Sequence, residues 1–218
     1  MIVLYGNPLS TYCAKVRVVM RHKGVAFEDR DPPDGYGSPA YRRIIPMGTI
    51  PGFVDGSVVL SESEAIAEYL EETHPLPAML PGDAGERARI RALSRVHDCW
   101  VEPALRALYA HANPERREAA VVEQKVAEMH RRLGGLAELA RPAPYLAGPV
   151  LTLADCAWPT TLIQAELMLA ALGHTLVVPE PLRPWRTTLE RHPAVAPGLE
   201  PCRVAMAAWL AKVGASPA

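Results

Sequence analysis

PGFVDGSVVLSESEAIAEYL, residues 51–70, decides the fold. Phe53-Val54 and Val58-Val59-Leu60 are short apolar runs on either side of Asp55-Gly56. That dipeptide is a strong hairpin signal, because both central positions of its turn need positive φ. Ala65, Ile66, Tyr69 and Leu70 then recur with helical spacing on one apolar face. Glu62-Ser63-Glu64 supplies the start of that helix, a capping residue with an acidic first turn.

Working outward towards the N-terminus, Ile2-Val3-Leu4-Tyr5 reads as a strand and Gly6-Asn7-Pro8 as a turn. Cys13, Val16, Val19 and Met20 follow a helical period that Gly24 stops. Val25–Glu28 reads as a second strand, followed by a polar connection over 29–39. The order is strand, helix, strand, hairpin, helix. It predicts a small mixed sheet with helices on its faces.

Towards the C-terminus, His74 to Gly82 is rich in proline and reads as a linker. Beyond it the strand signals vanish. Residues 86–111 carry Ile90, Leu93, His97, Trp100, Leu105 and Leu108 at helical spacing, with a kink expected at Pro103. Val122, Val126, Met129, Leu133 and Leu136 repeat the pattern over 115–140. Further helices are expected from residues 153, 182 and about 200. The expected organisation is a sheet domain over 1–75, a linker over 76–85 and a helical domain over 86–218.

The chain of 218 residues is 49% hydrophobic, enough for a core without disulfides or metals. A net charge of -1 and the lack of a long Lys/Arg run argue against nucleic acid and anionic membranes as partners. The apolar stretch at the N-terminus is too short for a signal peptide, and no run is long enough to span a membrane. Cys13, Cys99, Cys156 and Cys202 lie far apart, so neither a zinc site nor a disulfide framework is signalled. A cytoplasmic protein with reduced thiols is expected.

Four segments together resemble the cytosolic glutathione transferases: Leu4 to Arg17, Pro46 to Pro51, Leu60 to Leu70, and Leu151 to Asp155. The resemblance covers nearly the whole chain and is most like the serine-type, bacterial members. It implies an α/β thioredoxin-like N-terminal domain plus an all-α C-terminal helical bundle, in a homodimer with a role in detoxification. Glutathione enters as a co-substrate, with no metal or tightly bound group implied.

A glutathione enzyme must first make a thiolate. A free thiol titrates near ~8.5, so little of it is nucleophilic at neutral pH. Lowering that value by about two units takes roughly 2.7 kcal/mol of thiolate stabilisation. A hydroxyl hydrogen bond to a charged acceptor supplies about 1.5–3 kcal/mol, and a helix N-terminus about 0.3–1 kcal/mol. Ser10, in the turn before the first helix, matches the family's catalytic serine, although a serine there is also a favoured N-cap. Cys13 and Tyr5 are its rivals, the first as a nucleophile and the second as a phenol donor.

The resemblance makes Pro51 a cis-proline, whose preceding residue Ile50 pairs with the cysteinyl backbone as an added strand would. It places Ser63 on the γ-glutamyl carboxylate at a helix N-terminus and Glu62 on the γ-glutamyl ammonium. Thr152 to Asp155 reads as a capping-box variant that serves folding. The basic pair that usually precedes the Ser-Pro of the third connection is replaced by Tyr36-Gly37, leaving Arg42, Arg43 or backbone groups for the glycine carboxylate. The electrophile pocket is expected beside the helix that carries His97, Trp100, Leu105 and Tyr109, with Trp100 and Leu105 better suited to core. Three activities stay open: conjugation of a small hydrophobic electrophile, isomerisation of a maleylacetoacetate-type compound, or binding without catalysis.

Overall fold

The computed structural model describes residues 1–215. Residues 216–218 of the expected helical half lie outside that range. The first half forms one sheet in the order β2-β1-β3-β4, with β1 Ile2–Tyr5, β2 Phe27–Arg30, β3 Gly52–Asp55 and β4 Val58–Ser61. β1 runs parallel to β2 and antiparallel to β3, and Tyr5 faces Gly52 across that register. The helices of this half are α1 Thr11–His22, a single turn α2 Pro39–Arg42, and α3 Ser63–Thr73. The second strand begins two residues later than expected. Val25 is instead tied to the end of α1, its amide donating to the Met20 carbonyl at 2.9 Å.

The hairpin forms, but its turn is Gly56-Ser57, since Asp55 pairs with Val58 across the ladder. Only Gly56 takes positive φ, at 58°. Glycine at the first central position with an ordinary second residue is a recognised two-residue turn. Asp55 is thereby released to accept the Tyr69 hydroxyl at 2.9 Å, which pins α3 to the hairpin.

The second half is helical: α4 Ala84–Val96, α5 Glu102–Leu108, α6 Ala119–Leu139, α7 Trp158–Ala171, α8 Arg183–Glu190 and α9 Ala196–Lys212. A full capping box starts α4, where Asp83 and Glu86 each accept the other's amide. The break between α4 and α5 is a π-helical turn over His97–Val101. It ends before Pro103, which stands in the first turn of α5. Thr152 and Asp155 form the expected capping box around a short turn that precedes α7. Asp155 also accepts the Leu146 amide and the Trp185 indole, both at 2.9 Å, so it anchors three segments at once.

The α1 helix lies between the halves and is buried on most of its surface. It touches α3 on one side and α7 on the other. Gln164 of α7 reaches the Leu9 carbonyl at 3.0 Å, and the Tyr12 hydroxyl reaches Glu102 at 2.9 Å. Both contacts set the mouth of the cleft between sheet and bundle. No helix among the described residues is long and apolar enough to cross a membrane.

Candidate functional site

Two adjoining cavities occupy the cleft. The first, about 340 Å³, is walled by Ile50, Pro51, Glu62, Ser63, Glu64 and Asp98 among others. The second, about 480 Å³, is walled by Leu9, Ser10, Tyr36, Arg106, Tyr109 and Trp209 among others. They share Tyr12, Thr49 and Ile50 as a common wall. All five expected site residues therefore line one continuous cleft, Ser10 in the second compartment, Pro51, Glu62 and Ser63 in the first, and Ile50 in both.

Ser10 is the N-cap of α1, and its hydroxyl oxygen accepts the Cys13 amide at 3.1 Å. The cap uses a lone pair of the hydroxyl oxygen and does not consume the O–H. Capping and donating to a thiolate are thus compatible in one side chain. Cys13 is wholly buried, its thiol directed at the Tyr5 carbonyl 4.0 Å away. Burial pushes that thiol up, against the opposing pull of the Ser10 bond and Arg17. A β-carbon on Gly6 would sit 2.5 Å from the Cys13 sulfur, so glycine closes the turn over it. Tyr5 is buried as well, its ring 5.7 Å from that of Tyr41. Neither rival lines the cleft.

The Ile50-Pro51 peptide bond is cis. The Ile50 amide and carbonyl take no hydrogen-bond partner among the described residues, so an extended backbone in the cleft would meet a free donor and acceptor. The Tyr41 hydroxyl donates to the Thr49 carbonyl at 2.9 Å and steadies this loop. Gly52 is required beneath it, because an added β-carbon would overlap that same hydroxyl.

Ser63 opens α3 and is buried, with the unpaired amides of the first turn around it. Glu62, just before, is exposed and holds φ 81° and ψ 105°, a conformation that glycine favours. Strain of this kind persists where the surrounding structure imposes it, and it gathers at ligand sites. Here the chain must leave β4 and enter α3 within one residue.

A buried charge network that sequence reasoning missed closes the floor of the first cavity. The Lys15 ammonium, fully buried on α1, pairs with Glu64 of α3 and lies 3.0 Å from Asp98. Ser94 donates to Glu64 at 2.9 Å and Arg95 to Asp98 at 2.7 Å. His97 stands 2.7 Å from both Asp98 and Thr161. Burial alone would raise the Asp98 pKa, but the His97 hydrogen bond and the Lys15 ammonium prevail and hold it at about 2. The one available signal was a lysine within an apolar helical run, four residues from Thr11 and from Val19.

The expected pocket helix needs correction. His97 is completely buried in the bundle, held by Asp98 and Thr161, while Leu105 is core as expected and Trp100 is not. Trp100 is 49% exposed on a different face, with the Arg132 guanidinium 4.3 Å from its ring centre. The extra residue of the π-helical turn rotates these side chains away from the phase of a regular helix. Tyr109 does line the cleft, its hydroxyl donating to Gln164 at 2.6 Å and its ring 4.7 Å from Trp209. Arg42 is occupied with bracing its own loop, donating to the Gly37, Pro46 and Met47 carbonyls. Neither Arg42 nor Arg43 lines the cleft.

Residues 4–78 match the family model described as glutathione S-transferase, N-terminal domain. A glutathione S-transferase of Pseudomonas putida is 31% identical over 156 residues, spanning 71% of this chain and 70% of that protein. A stringent starvation protein A homolog of Pasteurella multocida is 29% identical over the same shares of the two chains. Among solved structures, the holo form of a maleyl pyruvate isomerase, a bacterial zeta-class glutathione S-transferase, superposes with TM-score 0.77 at 26% identity. It covers 92% of this chain and 97% of the other.

Proposed function

This chain belongs to the glutathione S-transferase family, and from that premise we propose that it binds reduced glutathione in the first cavity and delivers its thiolate to a small hydrophobic electrophile in the second. The observation that carries the reading is Ser10, which lines a cleft continuous with the unpaired backbone of Ile50 and whose O–H is not consumed by its cap. Ile50 pairs with the cysteinyl backbone beside cis-Pro51. Ser63 and the first turn of α3 hold the γ-glutamyl carboxylate, and Glu62 holds its ammonium. With the sulfur near Ser10, the hydroxyl stabilises the thiolate at the α1 N-terminus as it attacks.

In this reading residues 1–75 form the glutathione-binding unit and residues 86–218 the electrophile-pocket unit, joined by 76–85. Glutathione is consumed as a co-substrate and leaves with the product. The protein works in the cytoplasm as a homodimer. Trp100 and Leu139, both exposed and walling one apolar depression, are the surface that supports such pairing.

Arg106 favours a second reading. Its guanidinium lines the second cavity, 4.8 Å from the Tyr109 ring centre, while its charge is shared with Glu102. An arginine there suits an electrophile that carries a carboxylate, such as a maleyl compound. Glutathione would add reversibly across the double bond and leave again after rotation.

Calorimetric titration with reduced glutathione tests the binding step. Saturable binding by the wild type, lost in Ser63→Ala, is expected. No binding up to ~10 mM, an affinity weaker than about -3 kcal/mol, would overturn both readings in favour of a binding protein without catalysis. Turnover of maleylacetoacetate, set against that of neutral electrophiles, then separates isomerase from conjugating enzyme.

A further inference from the structure

With the γ-glutamyl group at Ser63, the cysteinyl backbone on Ile50 and the sulfur at Ser10, the glycine of glutathione must leave Ile50 on the side away from α3. Tyr36 and Thr49 wall the cleft there, and Tyr36 lines the second cavity without reaching the first. The two belong to turns in contact. A β-carbon on Gly48 would lie 3.1 Å from the Gly37 Cα, so the turn that carries Tyr36 packs against the segment that leads into Thr49 and Ile50.

The frame around Tyr36 fixes what it presents. Gly35 and Gly37 on either side take φ 86° and 80°, where a side chain would be strained. The Gly35 amide donates to the Pro32 carbonyl at 2.9 Å, and the Ser38 hydroxyl donates to the Pro33 carbonyl at 2.6 Å. The Arg42 guanidinium then ties the Gly37 carbonyl to those of Pro46 and Met47. The result is an aromatic ring with one neutral donor at the end of the glutathione path. Tyr36 is 67% exposed, so that end of the cleft is open to water.

Charge at this end does not suit a carboxylate. The connection over 28–37 carries Glu28, Asp29, Asp31 and Asp34 against Arg30 alone. Arg30 pairs with Glu28, and Arg17 with Asp29; Asp31 and Asp34 make no ion pair among the described residues. Two cations line the cleft, and each is matched, Arg95 by Asp98 at 2.7 Å and Arg106 by Glu102 at 2.9 Å. A carboxylate held in water beside no unmatched cation stays hydrated and gains little from the protein.

On the premise that glutathione binds as set out above, we propose that this site does not read the glycine carboxylate. Its thiol substrates then include glutathione masked at that end as an ester or extended there as an amide. The γ-glutamyl and cysteinyl parts supply the recognition, and Tyr36 meets the glycine end with a ring and not a charge. An extension has room, because the chain emerges into solvent beside Tyr36.

Calorimetric titrations with reduced glutathione and with its glycyl ethyl ester test this. The two dissociation constants are expected within about threefold of each other, whereas a site that pairs the carboxylate with a cation would separate them by about tenfold or more. Ser63→Ala is expected to weaken both ligands by similar factors, since both use the same γ-glutamyl contacts. Tyr36→Arg, which adds a cation at that wall, is expected to tighten glutathione about fivefold and to leave the ester within about twofold. Three results overturn this inference alone while glutathione still binds: an ester weaker by about tenfold, an ester indifferent to Ser63→Ala, or equal effects of Tyr36→Arg on the two ligands. If neither ligand saturates up to ~10 mM, the glutathione reading itself falls and this inference falls with it.

Discussion

The Ser10 hydroxyl oxygen accepts the Cys13 amide at 3.1 Å, and this bond orders the whole start of α1. It caps the helix at a serine that lines the cleft, while the cysteine it holds is buried in the interior. Ser10→Ala is therefore expected to lower glutathione turnover by about tenfold to a thousandfold, the scale of losing one donor to a developing charge. It should also cost about 1 kcal/mol of stability through the lost cap. Steady-state kinetics beside urea unfolding separates the two effects. Unchanged turnover would remove Ser10 from the chemistry.

Cys13→Ala supplies the complementary test. The thiol is buried and its pKa is raised, so thiol-directed reagents should leave Cys13 unmodified in the folded protein. Turnover of the variant should stay within about twofold of wild type, on the logic that an inert buried cysteine acts only through packing. Mass spectrometry after reaction with iodoacetamide would reveal an error here, as labelled Cys13.

Glu62 should show opposite effects on stability and on binding. Its positive φ is costly for any residue with a β-carbon, so Glu62→Gly is expected to stabilise the fold by about 1 kcal/mol. The same change removes the carboxylate proposed for the γ-glutamyl ammonium and should weaken glutathione binding. A melting curve and a glutathione titration on one sample decide the matter. Binding as tight as wild type would exclude Glu62 from the site.

Lys15 is buried against two carboxylates, Glu64 and Asp98, that belong to different halves of the molecule. Lys15→Met leaves both with one partner fewer, and removing one member of a buried ion pair typically costs about 3–5 kcal/mol. Urea unfolding is the direct measurement. A loss below about 1 kcal/mol would mean that the network does not join the halves.

Asp98 sets an acid limit on stability. Its pKa is about 2 in the fold against 3.8 for an unperturbed group, so the folded state favours the ionised form. Its contribution, on the order of 2 kcal/mol, is fully present above the higher of these values and disappears as pH falls through the lower. Asp98→Asn should flatten the stability profile across that interval. An identical slope in wild type and variant would assign the acid sensitivity to other carboxylates.

Residues 51–70 carried much of the fold by themselves. The hairpin, the α3 helix and the capping box at Thr152 rest on contacts within a few residues of each other, and such contacts are written in local patterns. Local signals placed Ser10 and Ser63 at helix starts, but the roles of Ser10, Ile50, Pro51, Glu62 and Ser63 were legible only through the resemblance of their segments to the family. What the tertiary structure alone decided involves partners far apart in the chain. Lys15 meets Asp98 across 83 positions and Gln164 meets Leu9 across 155. One added residue in the π-helical turn put His97 into the core and Trp100 at the surface, although a regular helical period suggested a shared face. Periodicity reports which face of a helix is apolar; it does not report what the rest of the chain brings against that face. The cleft is made of such encounters.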